Sequence, residues 1–397
     1  MTQEQFSTGI HQVDRRFGKL APSAENAVRI RHLPRTNQRF EPLPTPTGTT
    51  PYHLDLTQVV SAATMQAIEQ AGQLVFHLTG DVGGVKAPQS QQLVAMTMEN
   101  DFHDVTPAPS FLYILGDVVY FYGEANQYYS QFYEPYLSYP APIFAIPGNH
   151  DGDVMDSSVP SLAAFMANFC APDPHPTTES GDTGRNAMTQ PNPYWTLTTP
   201  YATLVGIYSN VPEGGRLDDQ QIGWLHTELS TAPTDRALIL AMHHPALSAD
   251  SHHSGSMYID ELLDRAIADS GRTPDVILAG HVHNYQRFTR TREDRQVPYI
   301  VAGAGGYWHL HSMAKDATGA TLVTPWKVPD LDATLDSYVD DRHGYLRITV
   351  SPTELHGDYI TVPRPQESWQ HGPTATVDSF TLDLHTHRVA ARGAALS

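Results

Sequence analysis

The chain has 397 residues, and its 43 acidic against 24 basic residues give a formal charge of −19. The summed field repels polyanions, which argues against a nucleic-acid or anionic-membrane surface. A single cysteine, Cys170, excludes an internal disulfide and a thiolate metal cluster by counting.

In chain order, residues 1–55 are rich in Pro, Thr and Arg, as in RIRHLPRTNQRFEPLPTPTGTTP, and carry no sustained period. This predicts an irregular N-terminal arm followed by one domain over residues 56–397. The first twenty residues hold no apolar core of the length a secretory signal needs, and no later segment approaches a membrane span. A soluble, cytoplasmic protein is expected.

Helix-period segments fall at LTQVVSAATMQAIEQAG, SQQLVAMTMENDF, DDQQIGWLHTELS and YIDELLDRAIADS. Among them lie the apolar runs QLVFHLTGD, SFLYILGD, APIFAIPGNHD, YATLVGIYSN, RALILAMHHP, PDVILAGHVH and VPYIVAGAGG. Short, nearly continuous apolar runs separated by helices are what a sheet buried on both faces requires, so the expectation is an α/β fold with a layered core. GYLRITVSPTELHGDYITV and SFTLDLHTH read as antiparallel strands that complete a second sheet.

Five of the apolar runs end in clusters of Asp, Asn, His and Gly: GDVGG at 80–84, GDVVY at 116–120, GNHD at 148–151, MHHP at 242–245 and GHVH at 280–283. In open α/β sheets the carboxyl ends of strands gather in one crevice, so such residues can converge there. Taken singly, each cluster is a turn or a satisfied structural histidine. Together they supply the oxygen and nitrogen donors that two ions about 3.5 Å apart, sharing one carboxylate, require. The 21 histidines fit that chemistry, because neutral imidazole is both a metal ligand and a proton carrier near neutral pH.

The order GDxG, GDxxY, GNHD, a strand-end His and GHVH resembles the calcineurin-like metallophosphoesterases and, within them, the purple acid phosphatases. The resemblance covers about residues 73–306, with GHVHNYQR its most specific stretch. It implies a layered α/β/β/α sandwich with the metal site at strand carboxyl ends. It also implies that Asp81, Asp117, Tyr120 and His283 hold a first metal, ferric iron in this family. Asp117 would bridge to a second ion, iron, zinc or manganese, completed by Asn149, His243 and His281. Successive strand side chains face opposite ways, so only one of His243 and His244 enters the crevice; the family pattern implies His243, with His244 the alternative.

Where the broader phosphodiesterase pattern has a histidine two residues after the first aspartate, this chain has Gly83. Loss of an imidazole and gain of a Tyr120 phenolate would favour a trivalent ion. The alternative is that Tyr120 simply packs in the aromatic run VVYFYG. By the same resemblance His150, His252 and His253 contact phosphate or protonate the leaving group, with His150 or His252 the expected proton donor, whereas Tyr307, Trp308, His309 and His311 stay outside the catalytic set.

The expected activity is hydrolysis of a small phosphorylated substrate, a phosphomonoester, through in-line attack on phosphorus by a metal-bound hydroxide. The alternatives are a phosphodiesterase or nucleotide-specific hydrolase on the same scaffold, and a non-catalytic interaction protein that keeps the fold. GAGG at 303–306 lacks the spacing of a dinucleotide fingerprint or a P-loop.

Overall fold

The computed structural model describes residues 23–30, 39–365, 367 and 374–391, so residues 1–22 and 31–38 of the expected arm lie outside the described residues. The described strands form two sheets. One runs in the order β1 (His53–Asp55), β5 (Trp195–Thr198), β6 (Ala202–Gly206), β7 (Ala237–Met242), β8 (Val276–Ala279), β10 (Arg295–Ala302), β9 (Tyr285–Arg292), β12 (Ala333–Val339) and β11 (Trp326–Lys327). The other runs β16 (Arg388–Ala391), β15 (Ala375–Asp383), β14 (Glu354–Thr361), β13 (Gly344–Val350), β2 (Leu74–Thr79), β3 (Leu112–Ile114) and β4 (Ile143–Ala145).

Most of the parallel pairing is made by strands buried along their whole length. β2, β3 and β4 pair in parallel, as do β6, β7, β8 and β10, and β2, β3, β4, β6, β7 and β8 are buried along their whole length. The C-terminal strands are antiparallel, as their alternating pattern predicts, and β13 docks against β2 so that they extend the second sheet. The helices begin where a side chain can satisfy their free N–H groups: Ser61 caps Ala62–Ala71, Asp218 caps Asp219–Thr231 and Ser256 caps Met257–Ser270. Gly72 and Gly271, both at positive φ, end the first and last of these. No helix among the described residues is long and apolar enough to cross a membrane.

Helices flank the two facing sheets. His77 on β2 bonds Asp101 of the helix Gln89–Asp104, and Thr196 on β5 bonds Glu228 of the helix Asp219–Thr231. Between the sheets, Trp195 of β5 packs on Tyr113 of β3 and Phe144 of β4. The result is the layered α/β architecture expected from the sequence. β1, inside the span assigned to the arm, pairs in parallel with β5. Arg29 reaches Asp260, a fully buried carboxylate that Arg290 also engages.

A polar seam ties the sheets together elsewhere. Arg287 on β9 donates from Nε and Nη2 to the Asp378 carboxylate on β15 at 2.7 and 3.0 Å, and Tyr285 donates to the same carboxylate at 2.8 Å. Tyr285 also stacks on Tyr359 of β14, with centroids 3.8 Å apart. Removing one partner of a buried ion pair leaves the other charge uncompensated. Asp378→Ala should therefore lower the unfolding free energy by about 3–5 kcal/mol, read from a denaturant midpoint.

Candidate metal centre

The candidate ligands emerge at strand ends of both sheets. Asp81, Asp117 and Asn149 follow β2, β3 and β4 of the second sheet, and His243 and His281 follow β7 and β8 of the first. Three of them, Asp81 at φ 56°, Asp117 at φ 54° and His281 at φ 67°, adopt the left-handed conformation that non-glycine residues avoid. Such strain gathers where a fold must aim a side chain at a functional point. Close approach is also built in at Gly148, where a side-chain carbon would stand 2.1 Å from Asp117 Oδ1.

The arrangement brings together all seven proposed ligands. Asn149 Oδ1 lies 3.0 Å from both His243 Nε2 and His281 Nδ1, and Asp117 Oδ2 lies 3.4 Å from His243 Nε2. On the other side, Asp81 Oδ1 is 3.3 Å from the Tyr120 hydroxyl and 3.5 Å from His283 Nε2. Asp117 joins the halves: donor atoms of Asp81, Asp117 and His243 all lie within 4.8 Å of one another.

The far nitrogens of the histidines decide which nitrogen faces inward. His243 Nδ1 donates to Leu115 O at 2.8 Å, and His283 Nδ1 donates to His309 O at 3.1 Å. His281 Nε2 donates to Glu213 at 3.3 Å. His281 and His283 therefore turn a bare lone pair toward oxygen atoms that are themselves acceptors, while the inward nitrogen of His243 faces Asn149 and Asp117. Acceptor facing acceptor at 3.0 Å repels unless a cation lies among them, and an outward carbonyl or carboxylate behind an inward imidazole is the usual support of a metal-bound histidine. The residues fit a divalent or trivalent ion pair on this ground.

The electrostatics agree. Burial, followed by the neighbouring His253, lowers His281 to about 4, and burial also takes His283 well below the usual imidazole range, so both stay neutral. Burial and the Asp117 charge raise Asp81 to about 7 despite His243. Asp117 goes the other way, because His243 and His150 outweigh its burial and hold it well below the ordinary carboxylate range. His243 reaches about 9, as Asp117 and Asp81 overcome the effect of burial. Burial and the same two carboxylates raise the Tyr120 phenol well above its normal value, so its ionisation needs a positive centre beside it.

The three substrate-side histidines divide. His150 packs on Tyr120, with centroids 4.6 Å apart; its Nδ1 donates to Phe121 O and its backbone N–H to Asp117 Oδ1, each at 2.9 Å. His253 lies against His281 and His283, with centroids at 4.3 and 6.1 Å. The ring contacts described for His252 are instead with His309 and His311. His244 meets Ser209 Oγ through Nδ1 at 2.8 Å, and its ring lies against that of His281, with centroids 4.3 Å apart, so it borders the ligands without a hydrogen bond to any of them among the described residues.

Sequence reasoning missed three supporting residues. Asp151 accepts from the backbone N–H groups of Gly148, Val118 and Val119 at 2.8–3.2 Å and so fastens two strand-end loops to each other. Gln131 makes a two-point bond to the backbone of Tyr120. Glu213, from NVPEGG after β6, accepts from His281 Nε2 and His253 Nδ1 at 3.3 and 3.2 Å. Asp151 stood within the quoted GNHD motif, and Glu213 at a further strand end; both could have been found there. Glu213→Gln should weaken binding at the His281 side by about 10- to 100-fold, measured by chelator competition, with binding at the Tyr120 side kept.

Comparison with known proteins gives the wider context. The calcineurin-like phosphoesterase family matches residues 74–285, more than half of the chain. Among solved structures, a purple acid phosphatase from yellow lupin (Lupinus luteus) seeds shares 16% identity over 82% of this chain and 57% of its own, with a TM-score of 0.53. GAP50, the anchor in the inner membrane complex of Plasmodium, shares 16% identity over 78% of this chain and 89% of its own at 0.52. PhoD shares 13% over 81% and 72% at 0.50. At these identities the likeness is one of fold. The family match spans the strand ends that carry the proposed ligands, and the chain belongs to the calcineurin-like phosphoesterases, metal-dependent hydrolases whose fold binds two ions.

Proposed function

We propose that the chain is a phosphomonoesterase of the purple acid phosphatase type, with ferric iron held by Asp81, Asp117, Tyr120 and His283. A second ion, iron, zinc or manganese, is held by Asp117, Asn149, His243 and His281. The observation that carries this reading is the exchange between Gly83 and Tyr120. A side-chain carbon at Gly83 would stand 2.7 Å from Tyr120 Cδ2, so the phenol ring occupies the space that a histidine there would need. Its hydroxyl meets Asp81, and the residue is buried against Tyr307, 4.4 Å between centroids. A hard phenolate in place of an imidazole favours a trivalent ion.

The ions, when bound, supply Lewis acidity toward the phosphoryl oxygens and acidify water at the centre. The chain's own residues do the rest. Asp117 holds the two halves at a fixed spacing, the outward bonds of His281 and His283 keep their inward nitrogens unprotonated, and the Leu115 carbonyl fixes the ring of His243 so that its Nε2 faces the centre. His253 is the proposed donor to the leaving oxygen. Burial would strip its proton, but the Glu213 carboxylate outweighs this and raises its pKa above the ordinary histidine value. His150, beside Tyr120, is positioned to bond the phosphate. His252, whose ring contacts lie on the far side, takes no part in the proton transfer proposed here.

Three outcomes follow. Purified protein should show a broad visible charge-transfer band that Tyr120→Phe abolishes, with iron content measured in parallel. With identical metal loading, a phenyl phosphomonoester should be cleaved faster than the corresponding diester, and the reverse order would favour the phosphodiesterase reading. A donor must be protonated to act, so the rate should be highest in mildly acidic solution and fall as pH rises through the His253 pKa. His253→Ala should cost about 10²-fold in kcat and flatten that alkaline fall, and a wild-type rate that climbs steadily into alkali would contradict the assignment.

A further inference from the structure

One imidazole away from the candidate centre lies a separate group of donors that the proposed chemistry does not use. Asp250, His252 and His311 each offer a ligand atom, and these atoms lie within 4.8 Å of one another. They come from two loops, 248–253 and 309–313, that are fastened firmly together. Ser251 donates to Ser312 O from its backbone N–H and its hydroxyl at 3.1 and 2.7 Å, and Ala314 N donates to Ala249 O at 2.8 Å. Asn284 Nδ2 reaches both Asp250 Oδ2 and His311 O, each at 3.0 Å.

Within this frame two buried groups are incompletely served. His311 is 4% exposed, and its Nδ1 is buried with no hydrogen-bond partner. That atom lies 3.6 Å from Oδ1 of Asp250, which is fully buried. Asp250 accepts from the backbone N–H groups of His252 and His253 at 2.6 and 2.7 Å and from Asn284. Both backbone bonds fall on Oδ1 and the Asn284 bond on Oδ2, so of about four acceptor sites on the carboxylate the one that remains is on Oδ2. Among the described residues no Lys or Arg bonds this carboxylate.

The nearer carboxylate oxygen, 3.6 Å from the imidazole nitrogen, puts Asp250 at about the spacing of two ligands on one tetrahedral ion, which at bond lengths of about 2.0–2.2 Å stand roughly 3.3–3.6 Å from each other, with Oδ2 the oxygen left open to the ion. The third member, His252, is half-buried and stacks on His311 with centroids 4.4 Å apart.

We propose that Asp250, His252 and His311 form a third metal site, selective for a divalent transition ion of the zinc class and separate from the two-ion centre. Two imidazoles and one carboxylate are a borderline donor set that suits such an ion better than calcium or magnesium, and three protein ligands leave a position for water. The ion compensates the buried Asp250 charge, occupies the His311 lone pair and joins the two loops at the edge of the candidate centre. His311 lies 4.4 Å from His283 and 5.1 Å from His253 between ring centroids, so the site also fixes the position of the proposed proton donor.

The test uses the full chain, stripped with chelator, reloaded with zinc and freed of excess ion. Anomalous diffraction at the zinc edge should show a peak enclosed by Asp250, His252 and His311, and elemental analysis should give about three ions per chain. His311→Ala should lose that peak and about one ion while keeping the pair. His252→Ala, at a half-buried position, should do the same and covers the case in which the buried substitution impairs folding. Asp117→Asn should show the converse, with the pair depleted and the third peak kept, so that failure of the two-ion reading is told apart from failure of this one. A zinc-loaded wild type with no anomalous peak at the cluster, or a peak that survives in both histidine variants, overturns the proposal.

Discussion

The centre rests on a repulsion that the protein imposes on itself. Three imidazole nitrogens, two carboxylates and one amide oxygen are pressed toward a common point, and the outward hydrogen bonds around them keep them turned inward. Leu115, His309 and Glu213 hold the far side of the three rings, and Asp151 pins the loops from which Asp117 and Asn149 extend. Such a cluster is costly in water-excluded surroundings unless positive charge enters it. That requirement explains how a strongly acidic chain can attract a phosphoryl group: the local sign at the centre is set by what the ligands demand, not by the molecular total.

The fold serves this crowding by bringing strand ends of two different sheets to one place. Backbone bonds run directly between them, as where Gly80 N–H donates to Ala302 O at 2.8 Å and Gly305 N–H to Gly80 O at 3.0 Å. The left-handed turns at Asp81, Asp117 and His281 are a local expense of that convergence. They persist because the buried strands β2, β3 and β8 fix the chain before each turn.

Much of this was legible in the sequence because the strands that lead into the site are short, nearly continuous apolar runs whose ends are rich in glycine and ligand-type residues. The five strand-end motifs carry the proposed ligands. What escaped notice has physical reasons. β9, in NYQRFTRTR, reads as polar, yet Arg287 and Arg290 are buried through ion pairs that no residue pattern announces. Glu213 sits in a turn with no ligand neighbours in sequence, and its role depends on two histidines 40 and 68 residues away. His252 and His253 are adjacent, so only their side-chain directions separate a residue beside His281 from one stacked on His311. Tyr120 and Tyr122 were likewise indistinguishable by type, and it is the buried one that meets Asp81.

The division of the ligands between two sheets has a mechanical consequence. Asp81, Asp117 and Asn149 move with one sheet and His243 and His281 with the other, so any bound ion spans the interface and acts as a cross-link between layers. Sliding of one layer over the other by a fraction of an ångström would change ligand spacing before it exposed any core. Ion affinity thus becomes a gauge of sheet registration, and by linkage the ions oppose shear of the sandwich as well as serving its chemistry. The Arg287–Asp378 seam resists the same movement, which couples a salt bridge outside the site to the dimensions of the centre.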